Sequence, residues 1–221
     1  MILKVLDFRY GMEDIKAKVQ QHTSGLLDAR LYAQSAVLLP LLKEDNGILS
    51  LLFEVRSCNL KTQPGEICFP GGRLQPGDRS VKEAALRETC EELGLDPDSV
   101  EIWGGLDILV TPFRQVIYPF VGLLREPQNI RPNPLEVEEV FTAPLDRLLS
   151  LTPEYHEITL QVQPPEDFPF DKIPHGRQYP WRRASWPELF YEFEERIIWG
   201  LTARLLQHFL AIIKSDMYGF I

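Results

Sequence analysis

The chain has 221 residues, 44% of them hydrophobic and 25% charged, with a formal net charge of -9 at pH 7. That composition can bury a sizeable core, and its acidic balance argues against a surface that grips nucleic-acid phosphates, which needs an excess of Lys and Arg. An anionic small molecule stays admissible, because a local cationic pocket or a bound metal ion suffices for it.

Three cysteines, Cys58, Cys68 and Cys90, stand far apart without C-x-x-C spacing, the pattern of reduced thiols in a reducing compartment. The opening run MILKVLDFRYGMEDIK lacks the basic-then-apolar order of a secretion signal, since Asp7, Glu13 and Asp14 interrupt it. No apolar run approaches the roughly 20 residues of a membrane span. A cytoplasmic location is therefore expected, with neither membrane nor nucleic acid as partner.

In chain order, residues 12–22 have a weak helical pattern that ends at His22-Thr23-Ser24-Gly25. Two apolar runs follow, Ser35–Leu42 and Ile48–Val55, and the Asn46-Gly47 turn between them predicts a hairpin or adjacent strands. Residues 58–79 read as a Gly- and Pro-rich loop, 80–93 as a helix, and 101–110 and 115–124 as strands. A short helix is expected at 142–150 and a strand at 156–163. A Pro-rich stretch from Pro164 to Pro187 then precedes a closing helix at about 196–213. The apolar residues of that helix serve either core packing or a homodimer contact. Strands interleaved with a few helices predict a mixed α/β domain with no clear internal boundary.

The helix at 80–93 carries the chemistry. Ser80 and Glu83 form the S-x-x-E capping box that starts a helix, and Gly94 stands where a left-handed C-terminal cap is expected. At 100° per residue Ala85, Leu86, Thr89, Cys90 and Leu93 gather on one face, expected to be buried. Glu88, Glu91 and Glu92 collect on the opposite face at i, i+3 and i+4, where like charges repel and the helix dipole disfavours them. A divalent cation among them removes both penalties, and oxygen-only ligands favour Mg²⁺ or Mn²⁺ over zinc. Alone, the triplet reads as a solvated acidic face. The nearby Pro70-Gly71-Gly72 loop, able to bring backbone close to a ligand, and Arg87, placed to hold a carboxylate, favour the metal site.

The run Arg87-Glu88-Thr89-Cys90-Glu91-Glu92-Leu93-Gly94-Leu95, with Gly71-Gly72 upstream, resembles the Nudix box. It departs from the usual pattern at one place. Arg79 stands at the position of the box's first Glu, Arg73 at that of its Gly, and Gly72 lies one residue further away. The segment Leu51–Ser57, followed by Lys61, Gly65 and Phe69-Pro70-Gly71-Gly72, is similar to the extended signature of the coenzyme A pyrophosphatase subgroup. In that subgroup the longer loop, with an acid at the place of Asp78, is usual. Lys61 replaces the usual arginine, so a bidentate phosphate contact becomes a point charge. Tyr118–Gly122, Glu136–Phe141 and Ile198–Ala203 extend the resemblance to roughly residues 35–205.

The resemblance implies a Nudix-type α/β/α sandwich with a mixed sheet, in one domain over 1–221 with an N-terminal extension at about 1–30 and the box at about 71–95. It implies a metal-dependent pyrophosphatase that splits the diphosphate of coenzyme A or an acyl derivative into 3′,5′-ADP and (acyl-)4′-phosphopantetheine. Glu88, Glu91 and Glu92 would hold Mg²⁺ or Mn²⁺, and Glu88, Glu91 and Arg87 would serve catalysis, with Glu88 or a loop carboxylate as base. Arg56, Lys61, Arg73, Gly71 and Gly72 are the candidates for substrate contacts, the three cations being otherwise exposed loop charges. Glu136 and Glu139 are candidates for a distal acid, or solvated positions on an acidic segment. Lys172, His175, Arg177, Arg182 and Arg183, interleaved with Tyr179 and Trp181, read more as a solvated loop than as an adenine platform. Two alternatives stay open: a Nudix hydrolase of ADP-ribose, dinucleotides or nucleotide sugars, and a non-catalytic module that binds such a ligand.

Overall fold

A computed structural model describes residues 11–214. The first ten residues of the expected N-terminal extension, with Asp7 of the charge pattern read there, lie outside the described residues. Helix α1 (Met12–Gln21) has no buried residue. Then come β1 (Ala33–Lys43), β2 (Leu49–Arg56), β3 (Ile67–Cys68), β4 (Gly71–Arg73), α2 (Val81–Leu93), β5 (Val100–Gly105), β6 (Leu109–Val110) and β7 (Gln115–Leu124). The chain continues through β8 (Val137–Pro144), α3 (Leu145–Ser150), β9 (Glu154–Gln161), β10 (Arg183–Phe193), β11 (Arg196–Trp199) and α4 (Gly200–Lys214).

The larger sheet is mixed. β1 pairs along its length with β7 in parallel, and on its other side first with β4 and then with β2, both antiparallel. β2 is flanked by β8 on its outer side and also pairs with β3, while β5 and β6 pair with β7. Pro40 falls where β1 changes partner from β4 to β2, so its missing N–H interrupts no ladder. β9, β10 and β11 form a separate antiparallel sheet.

Strand alternation sorts the core into two layers. Leu39 and Leu41 of β1 join Leu51 and Phe53 of β2 on the face covered by α3, α4 and the smaller sheet, where Leu189, Tyr191, Ile198, Leu206 and Phe209 meet them. Ala36, Leu38, Leu42 and Leu52 point the other way, toward α2, where Ala84, Ala85 and Leu93 close the second layer. The result is a mixed α/β sandwich with helices on both faces of the large sheet. Of the apolar residues read in the closing helix, Leu205, Leu206, Phe209 and Leu210 are buried in the core of the chain, together with Ala203, while Trp199 is exposed.

Several boundaries differ from the sequence expectation. The 58–79 loop contains β3 and β4, and the 101–110 strand is broken into β5 and β6. Thr142–Pro144 end β8 instead of starting a helix, and Arg196–Trp199 pair with β10 as a strand, so the closing helix begins at Gly200. β10 starts inside the Pro-rich stretch, whose remainder, 164–182, lies in the long connection of the β9–β10 hairpin, 162–182. That connection packs on itself: Phe168 and Tyr179 meet Trp181 edge-on, and Arg177 lies over Phe170 at 4.6 Å. Among the described residues no helix is long and apolar enough to cross a membrane.

Leu206 is fully buried between α4 and the large sheet. Leu206→Ala is expected to cost about 2–5 kcal/mol in urea denaturation; a loss below about 1 kcal/mol would show that α4 is dispensable to the core.

Candidate active site

Helix α2 begins and ends as its sequence predicts. Ser80 Oγ accepts the Glu83 N–H at 3.1 Å, and Gly94 adopts φ +64° while its N–H reaches the Cys90 carbonyl. A side chain at Gly94 would strike the Arg131 carbonyl. The connection after β7 seals the helix end, with Arg131 and Asn133 donating their N–H groups to the carbonyls of Leu93 and Glu92, both at 2.8 Å. This satisfies two of the helix's last four carbonyls.

The three helix carboxylates do not share one solvated face. Glu92 turns inward and is 5% exposed, Glu88 is mostly covered, and the Glu91 side chain is 53% exposed. The buried face runs through Ala84, Ala85, Thr89, Glu92 and Leu93, with Leu86 and Cys90 at its margin. Glu92 Oε2 accepts the Gly71 N–H at 2.7 Å. A Cβ on Gly71 would lie 2.5 Å from the Ala36 carbonyl oxygen, and one on Gly72 would overlap the Glu88 carboxylate. Both glycines are required by close approach, one to β1 and the other to Glu88.

Arg87 fastens this loop to the helix. Its Nε and Nη2 donate to Asp78 at 2.9 and 3.1 Å, Nη2 also donates to the Arg73 carbonyl at 3.3 Å, and Nη1 donates to Glu88 at 2.8 Å and Glu91 at 3.1 Å. The bidentate bond from Arg87 holds the Asp78 carboxyl below the usual carboxylate range. Asp78 is thus the acid that meets Arg87, whereas Arg79 points elsewhere and pairs with Glu83.

Two further acids join the group. Alternation along β2 carries Glu54 onto the α2 face, where it is 1% exposed. Its Oε1 accepts no hydrogen bond. Burial pushes the Glu54 carboxyl well up, and the charge of Glu92 adds to this while Arg56 opposes it. Burial likewise raises Glu92 to about 8, against the Gly71 bond, with Glu88 and Glu136 adding repulsion. Glu88 is raised in the same way, chiefly by burial. Glu136 is held near by its carbonyl, which accepts the Ser57 N–H at 2.8 Å. Glu139 does not join them: it pairs with Arg196 of β11 at 2.5 Å.

The other candidates divide in the same manner. Arg56, Gly71 and Gly72 line a cavity of about 440 Å³ whose farther wall comes from β10, β11 and α4, including Trp186, Trp199 and Thr202. Lys61 and Arg73 are exposed and outside that lining. Sequence reasoning passed over Glu54 and Glu188, a second acid on the cavity wall. For Glu54 the signal was present: a lone acid inside the apolar run Leu49–Arg56.

Among the described residues no three His, Cys, Asp or Glu side chains stand gathered at metal-holding distances. The donor chemistry nevertheless fits a hard divalent cation. Oxygen ligands predominate, burial and then mutual repulsion raise the buried carboxyls, and the Glu54 Oε1 lacks any partner.

A family model described as the NUDIX domain matches residues 32–162. The chain belongs to the Nudix family. Among its Nudix relatives, Nudix hydrolase 3 of Caenorhabditis elegans is 33% identical over 207 residues, covering 90% of this chain and 80% of that protein. The peroxisomal coenzyme A diphosphatase NUDT7 of Mus musculus is 41% identical, with 62% of this chain and 58% of that protein covered. The mitochondrial coenzyme A diphosphatase NUDT8 of Homo sapiens is 43% identical, with 53% and 50% covered. A MutT/nudix family protein from Enterococcus faecalis shares the fold at a TM-score of 0.50 and 13% identity, over 96% of this chain and 73% of that one. The chain is a Nudix hydrolase.

A carboxyl raised in the folded state favours its neutral form there. The stability it contributes is whole below the ordinary value of 4.5 and is lost as pH rises through about 8. The metal-free protein is expected to lose on the order of 5 °C in Tm between pH 5 and pH 8.5. Glu92→Gln, which keeps an acceptor for Gly71, should flatten that slope in scanning calorimetry; an unchanged slope would acquit Glu92.

Proposed function

We propose that this Nudix hydrolase cleaves the diphosphate bridge of coenzyme A or its acyl derivatives, releasing 3′,5′-ADP and 4′-phosphopantetheine or its acyl form. The observation that carries the reading is the nest of Glu54, Glu88, Glu92 and Glu136 against the Gly71-Gly72 backbone at the edge of a cavity. The coenzyme A assignment is supported by the resemblance of residues 51–72 to that subgroup. It is also supported by the two diphosphatase relatives, which are 41% and 43% identical.

Glu88, Glu91 and Glu92 would hold Mg²⁺ or Mn²⁺. Such a cation supplies neutralisation of the anhydride's charge and acidifies water. Glu88, whose carboxylate packs against Gly72, takes the proton of the attacking water. A bond forms between that water's oxygen and one phosphorus, and the bridging oxygen leaves with the other phosphate. Arg87, bonded to Glu88, Glu91 and Asp78, positions these carboxylates relative to the loop. Arg56 faces the diphosphate from the cavity wall; Lys61 and Arg73, exposed and outside that lining, would meet it only from the surrounding surface. The cytoplasmic assignment belongs to the same reading, and three unpaired cysteines suit a reducing compartment.

Product analysis across a substrate panel with Mg²⁺ or Mn²⁺ tests the assignment. Coenzyme A is expected to be cleaved faster than ADP-ribose or NADH; equal or better turnover of ADP-ribose would remove it. Glu92→Gln is expected to lower kcat roughly 100-fold or more while leaving the metal-free protein at least as stable at pH 8. Retention of full activity would be incompatible with the metal site.

A further inference from the structure

The hydrolytic nest leaves two acids of the cavity wall unused, Glu66 and Glu188, and the second of them is buried at one oxygen. Glu188 of β10 lines the cavity, and its Oε2 is buried without a hydrogen-bond partner. An unpaired buried acceptor is costly, and a donor arriving with a ligand offsets that cost. The carboxylate also sits over the start of α4, since a Cβ on Gly200 would lie 3.8 Å from Glu188 Oε2. The positive end of that helix is therefore already matched by a negative charge.

Around Glu188 the wall is apolar. Trp186 and Trp199 flank it, and Phe113 meets Trp186 edge-on at 6.4 Å. Arg204, outside the lining, lies over the Trp186 ring at 4.2 Å, and its charge partly offsets that of Glu188. The charged residues lining the cavity are Arg56, Glu66 and Glu188, one cation against two anions.

The two halves of coenzyme A make opposite demands on such a space. The nucleotide half brings a 3′-phosphate, which would meet Glu188 and a helix terminus whose charge is already matched. The pantetheine half is slender and uncharged, with a hydroxyl and amide N–H groups able to donate. Apolar walls with one unsatisfied acceptor match the second and repel the first.

We propose that the cavity between the Gly71-Gly72 loop and β10, β11 and α4 receives the pantetheine arm, with Glu188 accepting from its hydroxyl or an amide N–H and Trp186, Trp199 and Phe113 packing along it. This rests on the coenzyme A reading above and names the side of the site that reads the acyl carrier. Glu188 is then a specificity residue, distant from the reacting phosphorus.

Product inhibition separates the two halves. In Glu188→Ala the inhibition constant of 4′-phosphopantetheine is expected to rise about 10-fold, as for a lost bond to a charged acceptor, without movement in that of 3′,5′-ADP. Phe113 is 64% exposed at the cavity rim, so Phe113→Ala repeats the test with little risk to folding and should shift the same constant by a smaller factor. Equal shifts for both products, a shift confined to 3′,5′-ADP, or no shift in either variant would overturn the assignment while coenzyme A cleavage persists. A wild type that leaves coenzyme A intact would overturn the substrate reading, and this assignment with it.

Discussion

Burying several carboxylates against one another, with more negative charge than the nearby Arg56 offsets, is the constraint around which this molecule is organised. Glu92 enters the interface between α2 and the large sheet and finds a single backbone N–H there, that of Gly71. The bond lowers the cost but does not cancel it, and Glu54, Glu88 and Glu136 add negative charge from neighbouring elements. A protein has no structural reason to assemble such a group, because well-packed apolar residues would fill the same space at lower cost. The arrangement makes sense as a ligand-binding device held in tension by the fold.

What holds it is distributed. Ala84 and Ala85 are small enough to let α2 lie against Ala36 of β1, which brings the helix carboxylates down to the glycine loop. Gly71 and Gly72 permit the approach from the other side, and Arg87 joins Asp78, Arg73, Glu88 and Glu91 into one clasp. The connection that caps α2 delivers Glu136. Each element that closes the core thus also sets the position of an acid.

Much of this was legible in residues. Ser80, Glu83 and Gly94 marked both ends of α2, and Asn46-Gly47 marked the β1–β2 turn. The acid displaced by one position in the box is explained by geometry, since Asp78 reaches the guanidinium and Arg79 does not. Other features were hidden for physical reasons. β3 and β4 are too short to show a period. The consecutive glutamates of β8, Glu138 and Glu139, sit exposed on its outer edge and disguise the strand. Arg196–Trp199 continue the apolar pattern of α4 and become a strand only because β10 is there to pair with them. A helical wheel treats Glu92 as polar and so turns it outward; tertiary pairing with Gly71 decides otherwise.

The cavity has its two walls at opposite ends of the chain order. Gly71, Gly72 and Arg56 come early, whereas Trp186, Glu188, Trp199 and Thr202 come late. During synthesis the ribosome therefore releases the acidic helix and its loop long before the surface that completes the pocket exists. A growing chain can fold its first layer, around Leu38, Leu52 and Leu93, yet has nowhere to seat a ligand until α4 docks with β10 and β11 over the other face. Chemical competence is thereby postponed to the final stage of assembly.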